Sequence, residues 1–330
     1  MTRIAVMGGG LIGRRHVERI LAHPVATCAG LIDPDPNVAP DLDVPRPTSI
    51  AEAQADRVII ATPTPLHAQN TQDAAAHCAA ILIEKPVAHT LAAADTLSRL
   101  PVPILIGHHR RHHPKVKALK SLLVSGRIGD PVTATTIWAL RKPDSYFTQN
   151  WRSAADGSPV LINLVHDLDL LNLYFGPIQN IVALPGHPQR SAERTESGAV
   201  ALVHDSGVTT TISFADTAAS PWGFEAGTGE NPNIGATGQD MLWITGTKGG
   251  VSFPSLTVWS GTEWSEPATA SPPLEAEGPA PLDAQLDHFI DVINGAAAPL
   301  CSLADGRAAL AAALEIETQL TERHAHARTA

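Results

Sequence analysis

Lys85 stands between Glu84 and Pro86 at the close of a short apolar run, residues 80–83, that reads as a buried strand. A lysine at the carboxyl end of a strand in an open parallel sheet sits where such folds bind ligands, and the proline after it restricts the backbone that presents it. Its ammonium can donate to an oxygen and stabilise negative charge that develops there. His166 is the second group of interest, because imidazole suits a general base near neutrality. It lies in a helical stretch, residues 160–175, where Leu164, Val165, Leu168 and Leu171 make the expected packing stripe. Asn163 and His166, three residues apart, then share a different face and can meet one substrate. Taken alone, the triplet is a solvated turn and His166 a satisfied core histidine. The rest of the chain decides between the readings.

Ahead of the triplet, the apolar run of residues 3–7 leads into Gly8-Gly9-Gly10-Leu11-Ile12-Gly13 and a helical stretch to about residue 22. Gly8, Gly10 and Gly13 form the glycine pattern of a dinucleotide fold: one permits a tight turn, one lets backbone approach a pyrophosphate, one lets helix pack on strand. The helix amino terminus at Leu11 and Ile12 faces the phosphates. A second run, residues 27–32, ends in Asp33, where a carboxylate accepts hydrogen bonds from the adenosine ribose. No arginine or lysine directly follows Asp33, so NAD is expected over NADP; Arg14 and Arg15 in the first helical turn are the counter-argument. Strands at 57–62, 80–83 and 103–106 alternate with helices at 66–79 and 91–99, which implies a doubly wound parallel sheet. This dinucleotide-binding Rossmann domain is expected to span 1–118.

Residues 119–330 change character. Runs at 131–140, 199–204, 208–214, 241–245 and 250–259 are rich in threonine, valine and tryptophan and read as strands, with helices at 160–175, 282–294 and 303–322. The expectation is an α+β substrate-binding and oligomerisation domain built on an open, mostly antiparallel sheet. One face of such a sheet must be covered, most simply by a second subunit. Residues 216–240 are too long for an ordinary connection and read as a substrate or subunit loop.

The 330-residue chain carries a formal charge of -10, which disfavours nucleic acid and gives no sign of a membrane anchor. A first strand that begins at Arg3 leaves no room for a signal peptide, so the cytoplasm is the default compartment. Cys28, Cys78 and Cys301 lack metal-binding spacing and read as buried reduced thiols. The histidines at 108, 109, 112 and 113 crowd one segment without a cysteine, and adjacent pairs rarely both point inward, so no metal is expected there.

Gly8-x-Gly10-x-x-Gly13, Glu84-Lys85-Pro86, Arg110-Arg111 before Pro114, Trp151-Arg152, and Asn163-x-x-His166-Asp167-x-Asp169 occur in an order that resembles the glucose-fructose oxidoreductase and inositol dehydrogenase family. The resemblance implies a Rossmann domain, a carboxy-terminal domain with an open sheet, a bound nicotinamide cofactor, a sugar or polyol substrate, and dimers or tetramers through the sheet. Thr62, Pro63 and His67 match a family segment near the nicotinamide, although His67 equally begins a helix. Glu84 and Lys85 join that cofactor set. Lys85 and His166 are then the catalytic pair, one from each domain, and Arg152 and Asn163 complete the substrate set, with a surface salt bridge as the alternative for Arg152. The family often has an aspartate four residues before the histidine; Ile162 stands there in this chain, which leaves open whether a carboxylate joins the proton path. Asp167 and Asp169 either orient the imidazole or pair at the domain junction. The activity implied is NAD-dependent oxidation of a secondary hydroxyl on a small polyol, sugar or sugar acid; the alternatives are a glycosidase of the same fold that keeps NAD bound and a dinucleotide-sensing regulatory protein.

Overall fold

A computed structural model describes residues 1–148, 157–190, 194–261 and 263–329. The chain forms two compact units, Met1–His113 with Pro279–Leu310, and Pro114–Gly278 with Ala311–Ala330.

The first unit is a five-stranded parallel sheet in the order β2-β1-β3-β4-β5. Its strands are β1 (Thr2–Met7), β2 (Ala26–Ile32), β3 (Arg57–Ile60), β4 (Ala80–Ile83) and β5 (Ile104–Ile106). They read as unbroken apolar runs because both faces are covered: Ile59, Ile60, Ile81 and Ile83 have no exposed surface. Helices α1 (Leu11–Ala22), α2 (Ile50–Ala53), α3 (His67–Ala75) and α4 (Leu91–Leu97) connect them. Helix α1 buries Gly13, His16, Val17 and Ile20, the three-and-four spacing of one helical face. Helix α4 starts where the hydroxyl of Thr90 accepts from the Ala93 N–H at 3.1 Å.

The expected cut near residue 118 misses a return of the chain. The Pro281–Ile293 helix packs on α1 and on the 3-10 turn His109–His112, and Gly306 lies against the side chain of Ile106. The buried positions Leu286, Phe289 and Ile290 mark an apolar face in the sequence. Periodicity says that such a face is covered, and says nothing about which earlier segment covers it.

The second unit holds an eight-stranded sheet in the order β13-β12-β11-β10-β6-β9-β8-β7. These strands are β6 (Pro131–Ala139), β7 (Ile178–Pro185), β8 (Ser197–His204), β9 (Thr209–Ala215), β10 (Leu242–Gly246), β11 (Gly249–Phe253), β12 (Val258–Ser260) and β13 (Thr269–Ala270). Among the described residues of this sheet, only β6 and β9 pair in parallel; the remaining neighbours are antiparallel. Burial alternates along β8 and β9, with Val200, Leu202, Ile212 and Phe214 turned inward. The outward row Val182, Ala201, Thr211, Thr135 and Trp243 crosses five strands in register, and every member is exposed.

Three details depart from the sequence reading. The run at 250–259 is two strands, because the chain reverses at Pro254–Leu256, where Leu256 takes φ 55°. Strand β7 was not anticipated: it follows Gly176-Pro177 directly and its polar Gln179 and Asn180 break the apolar pattern. The expected helix at 160–175 is a π-helical turn, Val160–Leu164, followed by the α-helix Val165–Phe175.

Candidate active site

All five parallel strands of the first unit run the same way, so the residues just after them gather at one edge of the sheet. Gly8 follows β1, Asp33 follows β2, Thr62 lies just beyond β3, and Glu84 and Lys85 follow β4. This is the edge where open α/β sheets bind ligands, beside the reversal of strand order between β2-β1 and β3.

Gly8 has φ +97°, and a Cβ there would lie 2.5 Å from the Ala61 carbonyl oxygen. A Cβ on Gly13 would lie 1.8 Å from the Gly8 carbonyl oxygen, so helix α1 rests directly on the turn. Gly10 differs: a Cβ there would meet no atom within 4 Å. The protein itself needs no glycine at that position, whereas a ligand that approaches the backbone does. Gly10 is also the N-cap of α1, which has no side-chain cap and no acidic residue in its first turn. The first N–H groups of the helix, with the positive end of its dipole, therefore remain available to an anion such as a pyrophosphate. Asp33 is held beside this turn: Oδ2 accepts from the Gly9 N–H at 2.7 Å and Oδ1 from the Asp35 N–H at 2.9 Å.

At β4, the Glu84 side chain turns inward and is buried. Its Oε1 lies 2.8 Å from His16 Nε2, and its Oε2 accepts from the Lys85 N–H at 3.2 Å. Burial opposes its charge, but the hydrogen bond from His16 and the charges of His16, His109 and Lys85 outweigh it and hold the carboxyl below its ordinary range. Glu84 is thus a fixed anion beneath a half-buried Lys85. His16 was not singled out from the sequence, although a histidine on the buried face of an amphipathic helix, three residues after Gly13, was a readable signal.

His67 opens helix α3, as its alternative reading had it, with 1% of its surface exposed. Nδ1 lies 2.8 Å from the Pro86 carbonyl and Nε2 2.8 Å from the Thr62 carbonyl. Burial pushes its pKa down against the pull of the two carbonyls and Glu84. The neutral ring carries one N–H and donates to one of these two carbonyls, whereas the imidazolium would donate to both. Thr62 Oγ1 also accepts from Asn70 Nδ2 at 3.0 Å, and Pro63 precedes the 3-10 turn Thr64–Leu66.

In the second unit, Asn163 lies in the π-helical turn and His166 in the α-helix that continues it. His166 is 5% exposed. The helix is not the one-sided stripe that spacing suggests, since Asp167 and Asp169 are buried along with the leucines. Burial, with Asp169 and Asp167 nearby, pushes the Tyr174 phenol up. Glu225, from the short helix Phe224–Thr228 inside the long 216–240 segment, accepts from Trp138 Nε1 at 3.0 Å and from Asn163 Nδ2 at 3.4 Å. Sequence reasoning flagged that segment for its length and missed the buried carboxylate within it. Trp151 and Arg152 lie outside the described residues.

The histidine-rich segment is packed into the first unit. Arg111 Nη1 donates to the Leu300 carbonyl at 2.7 Å, its Nη2 lies 3.3 Å from Asp305, and the rings of His112 and His288 are 5.2 Å apart. Among the described residues, no group of three histidine, cysteine, aspartate or glutamate side chains is placed to hold a metal ion.

Comparisons with known proteins bear on the fold and the family. The protein named inositol 2-dehydrogenase 2 of Mycolicibacterium vanbaalenii is 28% identical over 236 residues, 59% of this chain and 63% of that protein. This chain therefore spans less than two thirds of that relative's length. A UDP-N-acetylglucosamine 3-dehydrogenase from Acidithiobacillus ferrooxidans has a TM-score of 0.77 at 21% identity, covering 98% of both chains. An oxidoreductase from Agrobacterium radiobacter, in complex with NAD+, L-tartaric acid and magnesium, has a TM-score of 0.77 at 19% identity, covering 98% of this chain and 96% of that one. At such identities the likeness concerns the fold alone. Residues 2–101 match the oxidoreductase family with an NAD-binding Rossmann fold, and residues 116–252 match the carboxy-terminal domain of the same family. With an open glycine turn, an acid after β2 and the Glu-Lys-Pro segment after β4 on one sheet edge, and both family domains in order, the chain belongs to the Gfo/Idh/MocA family of oxidoreductases.

Proposed function

We propose that this protein is an NAD-dependent dehydrogenase that oxidises a secondary hydroxyl of a small polyol, sugar or sugar acid. The observation that carries the reading is the open Gly10 at an uncapped helix start, beside an anchored Asp33 and on the same sheet edge as Lys85. Gly8, Gly10, Leu11, Ile12 and Gly13 would cradle the pyrophosphate, Asp33 would take the adenosine ribose, and Thr62, Pro63 and Glu84 would flank the nicotinamide end, with His67 bracing them from beneath. Bound NAD supplies the hydride acceptor.

The chain's own residues handle the proton and the charge. Lys85, kept in place by the buried Glu84, donates to the substrate oxygen and stabilises the alkoxide that develops as the hydroxyl proton leaves. His166 accepts that proton. Asn163 binds a neighbouring substrate hydroxyl, its amide held by Glu225, and Arg152 completes the substrate set. A second copy of the chain covers the exposed row of the second sheet, giving a homodimer or homotetramer. Three buried cysteines, none of them in a disulfide among the described residues, fit a reducing compartment such as the cytoplasm.

A panel of polyols, sugars and sugar acids assayed for NADH formation tests the activity; release of a free sugar without net NADH would point instead to cleavage. For the roles, Lys85→Ala and His166→Ala should each lower kcat by roughly two to four powers of ten. The double variant should lose much less than the product of the two, because groups that act as a unit are not additive. Near-normal turnover in either single variant removes its role, and loss of NAD binding alone would recast Lys85 as a cofactor anchor.

A further inference from the structure

The segment between β2 and α2 forms a fixed rim beside the glycine turn. Val38 lies over Gly9, where a Cβ would approach its Cγ1 to 2.3 Å. Arg46 ties the rim to itself, with Nη1 donating to the Val38 carbonyl at 2.9 Å and Nη2 to the carbonyls of Ala39 and Leu42 at 2.6 and 3.2 Å. Asp41 reaches from this rim to the first turn of α1. There the guanidinium of Arg14 grips it with a two-pronged pair of hydrogen bonds, Nη1 to Oδ1 at 2.7 Å and Nη2 to Oδ2 at 2.5 Å, while Nε donates to Glu18 at 2.9 Å. Arg14 holds the Asp41 carboxyl below the usual carboxylate range.

A dinucleotide with a 2′-phosphate would bring about two further negative charges to the ribose. Sites that accept it supply an arginine, whose planar fork matches phosphate oxygens. Two arginines flank the rim, and both are committed: Arg46 to three backbone carbonyls, Arg14 to two carboxylates. Asp41 and Glu18 share the Arg14 guanidinium, and the charge of Arg46 also acts on Asp41. Asp33 alone excludes a phosphate by its own charge. Asp41 acts differently, because it occupies the cation that would otherwise compensate.

We propose that Asp41 is a second selectivity residue of the cofactor site, which by holding Arg14 denies that guanidinium to a 2′-phosphate and so favours the dinucleotide with a free 2′-hydroxyl. The inference rests on the placement of the adenosine ribose at Asp33. The pair is partly exposed, at 37% for the Arg14 side chain and 57% for Asp41, so it contributes little to stability and its loss leaves the fold intact. It also sets a moderate scale for the effect.

The test is the ratio of dissociation constants for NADPH and NADH, read by cofactor fluorescence on the full chain in wild type, Asp41→Ala, Asp41→Asn, Asp33→Ala and the Arg14→Ala/Asp41→Ala double variant. Both Asp41 variants should lower the NADPH-to-NADH ratio by about tenfold, the scale of a single charge-assisted hydrogen bond between the released Arg14 and the phosphate. Adding Arg14→Ala should restore the wild-type ratio. A ratio within about twofold of wild type in both Asp41 variants, alongside a clear change in Asp33→Ala, would overturn the inference and leave the ribose placement standing. A gain that survives Arg14→Ala would also overturn it, because the phosphate would then be held by another cation such as Arg15. No change in Asp33→Ala would overturn the ribose placement and the inference with it.

Discussion

Beneath Lys85, a buried carboxylate and a buried imidazole stand 2.8 Å apart, with 5% and 3% of their side chains exposed. A charge so far from water persists only with a donor beside it. His16→Ala removes that donor and should destabilise the protein by about 3 kcal/mol, the scale for breaking a buried pair, whereas His16→Gln, which keeps an N–H donor, should lose less. Urea unfolding compares them, and a change under about 0.5 kcal/mol in His16→Ala would show that Glu84 is satisfied by other means. The same carboxylate accepts from the Lys85 backbone, so the pair links stability to the orientation of the proposed donor.

Elements meet at His67. The ring lies between the carbonyls that follow β3 and β4, and its lowered pKa makes this contact pH-dependent, the neutral ring donating to one of them. His204 is also shifted down, by burial against the pull of the Gly176 carbonyl and Asp205. A histidine whose pKa is lower in the folded chain than in the unfolded one contributes stability that is complete above the unfolded value, about 6.5, and is lost as pH falls through it toward the folded value. Urea midpoints should therefore decline between about pH 7 and pH 5. His67→Gln should remove part of that decline while lowering stability at pH 8 and above, where the neutral ring is in place. An unchanged pH profile in the variant would assign the dependence to other groups. The π-helical turn before His166 also belongs to this scale: one widened turn sets where Asn163 points, and such turns recur at functional sites.

At the scale of the whole molecule, the second unit leaves Val182, Leu184, Trp243 and Trp259 exposed, at 51%, 50%, 37% and 46%. Val182 and Trp243 stand in one row with Thr135 and Thr211, whose hydroxyls lie 3.1 Å apart. An apolar and threonine-rich sheet face of this extent, which a two-fold axis can pair with itself, suits a second copy of the chain. Light scattering over a dilution series should give a dimer or tetramer, and Trp243→Lys should shift the mass toward the monomer with the circular dichroism spectrum retained. A monomer at every concentration in the wild type would remove the oligomer and leave the exposed face to solvent.

The local pattern of residues determined the first sheet almost strand for strand, because strands buried on both faces are continuous apolar runs and the glycine turn has one geometry that suits it. The same pattern made Asp33, Glu84 and Lys85 legible, since each closes such a run and parallel strands deliver their ends to one edge. Tertiary structure decided what no spacing encodes. It brought residues 279–310 back to the first unit, set His16 beneath Glu84 across 68 residues of chain, set Glu225 against Asn163 across 62, and joined Arg14 to Asp41. The reason is physical. Periodicity and turn chemistry act over a few neighbouring residues, so they report that a face is buried or a chain turns; which distant group satisfies a buried carboxylate depends on packing that only the folded chain completes.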